Sequence, residues 1–220
     1  YYNMIVIPIG TFCQLCGTIE RLKYRYMALP FDYIRSNILM INDCINNNFE
    51  KFLNREKYFN NFLGVDGYGK DIFIHHNMKD EIEYNKMKKR TKKFMDILDK
   101  KDIKVYISLF QNWNDNKSAH QNGSNIEKVI EDMKILYETL NNKTSNFYLI
   151  GFINKVTKKQ CNNVILKDKN LIIYELNTYD YSKGYMYNDS DEEYFIKCIK
   201  NVLFSINNNY ENEIIKIDKN

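Results

Sequence analysis

Short apolar runs separated by longer stretches of helical periodicity constrain this chain more than any other feature. Met4-Ile5-Val6-Ile7-Pro8-Ile9, Ile103 to Leu109, Phe147 to Ile153 and Leu171 to Leu176 are nearly continuous in apolar residues. Runs of that length suit strands buried on both faces, which have no solvent side to mark with alternation. Asp71-Ile72-Phe73-Ile74-His75-His76 reads as a further strand, with shorter ones at Val164-Ile165-Leu166 and Ile214-Ile215. Pro8 cannot donate to a ladder, which places the first strand at a sheet edge or Pro8 at the strand's end.

Helical spacing fills the intervals. Leu15, Ile19 and Leu22 share one face of a stretch running from Cys13 to about Tyr26. Gly17 within it costs about 1 kcal/mol against Ala, which predicts close packing there. Thr11, Ser36 and Ser124 stand where N-caps are expected. Further helices are predicted from Ser36 through Ile45, from Glu83 to Asp99, from Ile126 to Leu140 and from Asp191 to Ile206. Residues 54–70 and 111–124 are polar and loop-like. The alternation predicts one α/β domain over 1–220. Its sheet is mostly parallel with helices on both faces, a three-layer sandwich.

Composition removes several function classes. The 220 residues carry a net charge of +4, too weak for a nucleic-acid footprint. No apolar run approaches the ~20 residues that span a bilayer, so no membrane role is expected. The five cysteines are an odd number, unlike a secreted disulfide framework. No basic region leading into an apolar segment and a small-residue cleavage site is visible, so a cytoplasmic, reducing setting is expected. The abundance of Asn, Lys, Ile and Tyr follows AT-rich codons and fits a low-GC bacterium or a large DNA virus.

In an open α/β sheet, ligands gather at the carboxyl ends of the strands. Cys13 lies there, at a helix start, where unpaired backbone N–H groups and the helix dipole favour a thiolate. An imidazole beside it would complete a pair able to attack a carbonyl carbon. His75 and His76 end the expected second strand and point to opposite sides, so at most one of them faces the thiol. Asn112, just past the next strand, has the address to orient that imidazole, and Trp113 beside it could line a pocket. Asp32 either orients the imidazole or caps its own Pro30-Phe31-Asp32 turn. For each residue the plain alternative is structural: a packed thiol, a solvent-facing His120 or His76, a turn cap.

Cys13-Gln14-Leu15-Cys16 also has a redox spacing, but no Trp precedes it and the chain to the next strand is too long for a thioredoxin-like domain. A zinc site lacks its second Cys pair. No phosphate-cradling glycine motif is present, and no cofactor or metal is expected. The lysines and arginine from Lys86 to Lys93 read as the solvated face of one helix. Asp189 to Glu193 reads as an acidic first helical turn.

One segment resembles a known family. Ile9-Gly10-Thr11-Phe12-Cys13, then Leu22-Lys23, then Ala28-Leu29-Pro30-Phe31-Asp32-Tyr33 and Ser36 follow the N-terminal signature of a domain of unknown function. That family is labelled putative papain-like cysteine peptidase and is found in bacteria and giant viruses. Ile72-Phe73-Ile74-His75 and the stretch from Tyr84 to Arg90 and Phe94 are similar to its later pieces. Ala28 replaces a usual Ser, and Tyr33 a usual Trp. The resemblance implies Cys13 and His75 as nucleophile and base, and offers a papain-like α+β fold as the alternative architecture. It implies a cysteine-dependent acyl-transfer enzyme (peptidase, amidase or transferase) acting on a peptide-like or glycan-like substrate. The alternatives are a non-catalytic or glycosyl-transfer-associated domain binding a sugar or nucleotide at the same rim, and an interaction module without chemistry.

Overall fold

A computed structural model describes residues 4–10, 13–111, 125–180 and 187–217. Five strands form the main sheet: β1 (Met4–Pro8), β4 (Ile103–Gln111), β5 (Phe147–Val156), β6 (Cys161–Asp168) and β7 (Leu171–Thr178). They lie in the order β1-β4-β5-β7-β6. All pairs are parallel except β6 with β7, an antiparallel edge hairpin. β1 is the opposite edge, where Pro8 costs no ladder bond. The sandwich of parallel strands and helices is the architecture realised, not the α+β alternative.

Alternate side chains along each strand enter two separate cores. Ile5, Ile7, Tyr106, Phe110, Leu149 and Ile153 meet α2 (Ile38–Asn46), α3 (Glu50–Leu53), α4 (Glu81–Leu98) and α5 (Ile126–Lys143). Val6, Val105, Ile107, Leu109, Ile150 and Phe152 meet α1 (Cys13–Arg21) and α6 (Asp189–Ile217). The first core is rich in aromatic edges. Phe94 stands at 88° to Phe31 with ring centroids 5.4 Å apart, and Phe49 lies 5.5 Å from Phe31. Among the described residues, no helix is long and apolar enough to cross a membrane.

Several local expectations are corrected. Residues 72–75 are a turn, not a strand, closed by the His76 N–H donating to the Phe73 carbonyl at 3.0 Å, and the turn buries both Ile72 and Phe73. The polar stretch before them holds a small hairpin of β2 (Tyr58–Phe59) and β3 (Gly64–Val65). A Cβ on Gly64 would sit 2.7 Å from the Gly69 carbonyl oxygen, so only glycine fits that closure. Ile214 and Ile215 belong to α6. α1 ends at Arg21 because Lys23 turns left-handed (φ 61°) and the Tyr24 N–H reaches back to the Ile19 carbonyl at 3.1 Å. A Cβ on Gly17 would meet only an Arg21 side-chain nitrogen, at 3.4 Å, so close packing is not what selects glycine there. Asn37, not Ser36, caps α2, its side chain accepting the Met40 N–H at 2.8 Å. Asn125 caps α5 by accepting from Glu127 and Lys128. Thr11, Asn112, Trp113, His120 and Ser124 lie outside the described residues.

Candidate active site

The segment from Leu29 to Ser36 is a loop clamped at every turn. Phe31 plugs it into the aromatic core. Asp32 closes the turn: its Oδ2 accepts the Leu29 N–H at 2.9 Å and Arg25 Nε at 3.0 Å. Arg25 also reaches Glu20 at 3.2 Å and lies over the Tyr33 ring, whose hydroxyl donates to Glu20. Tyr33 takes the left-handed conformation (φ 56°), so the chain reverses there. Beyond it the Arg35 N–H donates to the Ile72 carbonyl at 3.1 Å, and the Ser36 hydroxyl donates to the Gly10 carbonyl at 2.7 Å. The loop therefore joins the end of β1, three residues before Cys13, to the turn that carries His75 and His76.

Cys13 is the first residue of α1 and is 7% exposed. Burial raises its thiol above the ordinary value of 9.0, while the Arg35 charge and a backbone N–H act the other way. The helix start favours a thiolate, and burial acts against it as the larger influence. Cys16, one turn on, is pushed up further by burial and by the Asp32 carboxylate. All five cysteines are free thiols.

The two histidines differ. His75 is exposed. His76 is half-buried, and its Nε2 lies 3.1 Å from the Asp32 carbonyl oxygen. A carbonyl only accepts, so Nε2 carries the hydrogen and Nδ1 the lone pair. Burial lowers His76 below its ordinary 6.5, opposed by that hydrogen bond and by Glu83, and assisted by Arg90 and His75. Its burial favours the neutral imidazole. Asp32 itself is 1% exposed, and burial raises its carboxyl despite Leu29 and Arg25. Its carboxylate serves the turn, and its main-chain oxygen is what meets an imidazole.

A second anchor went unread in the sequence. Glu192, in the first turn of α6, accepts Gln14 Nε2 at 3.1 Å, the Thr18 hydroxyl at 2.8 Å, the Tyr187 N–H at 3.0 Å and the Arg21 guanidinium. It fastens α1 to α6. Asp191, fully buried, accepts from Tyr179, Asp180, Asn188 and Gln160. The acidic turn is therefore a structural junction, beyond any interaction with the helix dipole. Arg35 and Arg25 were also missed, because a lone arginine in a loop has no periodicity to mark it.

A cavity of about 540 Å³ opens at the amino end of β1, lined by Met4, Tyr24, Tyr26 and Lys100 among others. It lies at the opposite end of that strand from Cys13 and contains none of the candidate residues.

No curated protein and no solved structure gives a significant match to the chain. A family does: residues 4–155 match the one described as putative papain-like cysteine peptidase (DUF1796), and this span contains β1, Cys13, the clamped loop and the histidine turn. Covering more than half of the sequence, that match establishes that the chain belongs to the DUF1796 family.

Proposed function

We propose that the protein is a cysteine-dependent acyl-transfer enzyme in which Cys13 is the nucleophile and His75 the base. The observation that carries this reading is the loop itself, fastened to the end of β1 by Ser36 and to the histidine turn by Arg35 and Asp32. A buried thiol stays protonated at neutral pH, so the proton must leave as the bond forms, which calls for a general base. His75, exposed on its turn, takes the Cys13 proton. The sulfur attacks the amide or ester carbonyl of a peptide-like or glycan-like substrate. Backbone N–H groups of the first turn of α1, which an α-helix leaves without an intrahelical acceptor, stabilise the oxyanion. The imidazolium returns its proton to the leaving amine or alcohol, and water or a second acceptor cleaves the thioester. His76 holds the turn against Asp32 in this scheme, and Asn112 is assigned to orient the base.

The burial of Cys13 favours a second reading, non-covalent binding of a sugar or nucleotide at the same rim. One experiment separates them. Treatment with a thiol-directed acyl probe, followed by peptide mapping, compares Cys13 with Cys161, which is half-buried and so the more accessible. Preferential acylation of Cys13, abolished in His75→Ala, supports the enzyme. Acylation of Cys13 no faster than of Cys161 rejects it, and ligand binding that survives Cys13→Ala then supports the rim-binding reading.

A further inference from the structure

We infer that Arg35, carried on the loop that Ser36 fastens to Gly10, is the positioning residue whose charge holds the ionised sulfur of Cys13. This rests on the reading of Cys13 as the nucleophile and adds a counter-charge that the sequence had sought only among imidazoles.

The geometry is local and over-determined. Arg35 is half-buried. Its own N–H is bonded to Ile72, and its neighbour Ser36 is bonded to Gly10, so its Cα is held from both sides. Gly10 is three residues from Cys13, so this bond ties the loop to the approach to that sulfur. The charged groups around this end of α1 divide clearly. Asp32 and Arg25 act on Cys16, together with Tyr33. Arg90, from α4, acts on Asp32 and His76. Glu192, from α6, is taken up by Gln14, Thr18, Arg21 and Tyr187. His75 and His76 stand on the turn beyond the loop. Among the described residues, Arg35 is the side chain whose charge acts on Cys13, and its sign favours the thiolate against the larger effect of burial.

Chemically this divides the labour. Desolvation keeps the resting sulfur protonated, and a base must remove that proton. Once it has gone, the positive charge of Arg35, on a loop whose backbone is held at Ile72 and Gly10, stabilises the anion through the moment of attack. An arginine suits this task because it remains charged at every working pH.

The test reads ionisation rather than turnover. Alkylation of the full-length protein by iodoacetamide is followed across pH, with Cys13 resolved by peptide mapping, in the wild type, Arg35→Met and Arg35→Lys. Loss of a cation disfavours the thiolate, so Arg35→Met should move the midpoint for Cys13 upward and slow its alkylation at pH 7.5 by roughly tenfold. Arg35→Lys should restore most of the rate. Cys161, in the same digest, should not change. A Met variant whose Cys13 profile superimposes on the wild type overturns the inference, and so does a Lys variant that moves as far as Met. If Arg35→Met does not fold, the wild type at low and high ionic strength decides: screening should move the midpoint upward, and a salt-independent midpoint overturns the assignment. Failure of the enzyme reading looks different, because Cys13 would then show the Arg35-dependent profile without ever accepting an acyl group.

Discussion

The Ser36 hydroxyl donates to the Gly10 carbonyl across 26 residues of sequence, at 2.7 Å and with Ser36 only 2% exposed. This bond fixes the spacing between the end of β1 and the loop that bears Arg35, and so the surroundings of Cys13. Ser36→Ala leaves a buried carbonyl without its donor. The expected cost is about 1–3 kcal/mol, read as a lower urea midpoint with an unchanged slope. Cys13 should also alkylate with an altered pH profile. A variant with wild-type stability and wild-type Cys13 chemistry would show that the bond contributes nothing to the site.

Arg25 and Asp32 form a pair in which the carboxylate is almost wholly buried, at 3.0 Å. Arg25→Met strands that carboxylate, and breaking such a pair costs about 3–5 kcal/mol. The pH dependence has a definite sign. Asp32 already has a folded-state pKa above its ordinary 3.8, and losing Arg25 raises it further. A group with a raised folded pKa contributes stability at low pH that is lost as pH rises through that pKa. The deficit of Arg25→Met relative to wild type should therefore be larger at pH 8 than at pH 5 in denaturant titrations. An equal deficit at both would show that the carboxylate is not the stranded group.

How far the site could be read from sequence depended on how local its causes were. β1, β4, β5 and β7 stood out because strands buried on both faces must be apolar throughout. The same rule misplaced a strand at 71–76, since Ile72 and Phe73 are buried by a turn that only the surrounding helices explain. Cys13 was found because a strand followed by a helix puts its first residue at the rim. Asp32 was read as an orienting group or a turn cap and Ser36 as an N-cap, both without their distant partners: the bonds to Arg25 and Gly10 follow from the path of the folded chain. Glu192 was visible as a charge in a first helical turn, but nothing nearby in sequence points to Gln14, 178 residues away.

His76 gives a test at acid pH. Burial lowers its folded pKa below 6.5, so the unfolded chain takes up a proton more readily. Stability from a neutral buried histidine is present above its unfolded pKa and is lost as pH falls from about 6.5 through the lower folded value. Gln at this position keeps an N–H able to donate to the Asp32 carbonyl but cannot charge. His76→Gln should therefore flatten the fall in thermal midpoint between pH 6.5 and pH 5. An unchanged acid limb in His76→Gln would mean that His76 is as easily protonated folded as unfolded.

Glu192, which joins α6 to the helix that Cys13 begins, offers the last prediction. Its carboxylate is buried, and Gln14, also fully buried, has Glu192 as the acceptor for its side-chain N–H. Glu192→Ala removes the acceptor for Gln14, Thr18, Tyr187 and Arg21 at once, and the uncompensated donors should cost about 2–5 kcal/mol. Glu192→Gln keeps the shape but presents an amide to a guanidinium and to several N–H donors, so it should recover only part of that loss. The effect on chemistry separates anchoring from a direct role. If Glu192 only fixes α1 against α6, both variants should lower the unfolding midpoint, while at temperatures where they remain folded Cys13 keeps its wild-type alkylation profile. A shifted Cys13 profile in folded Glu192→Gln would instead place Glu192 in the electrostatics of the thiol, a role that the distribution of charges around α1 gives to Arg35.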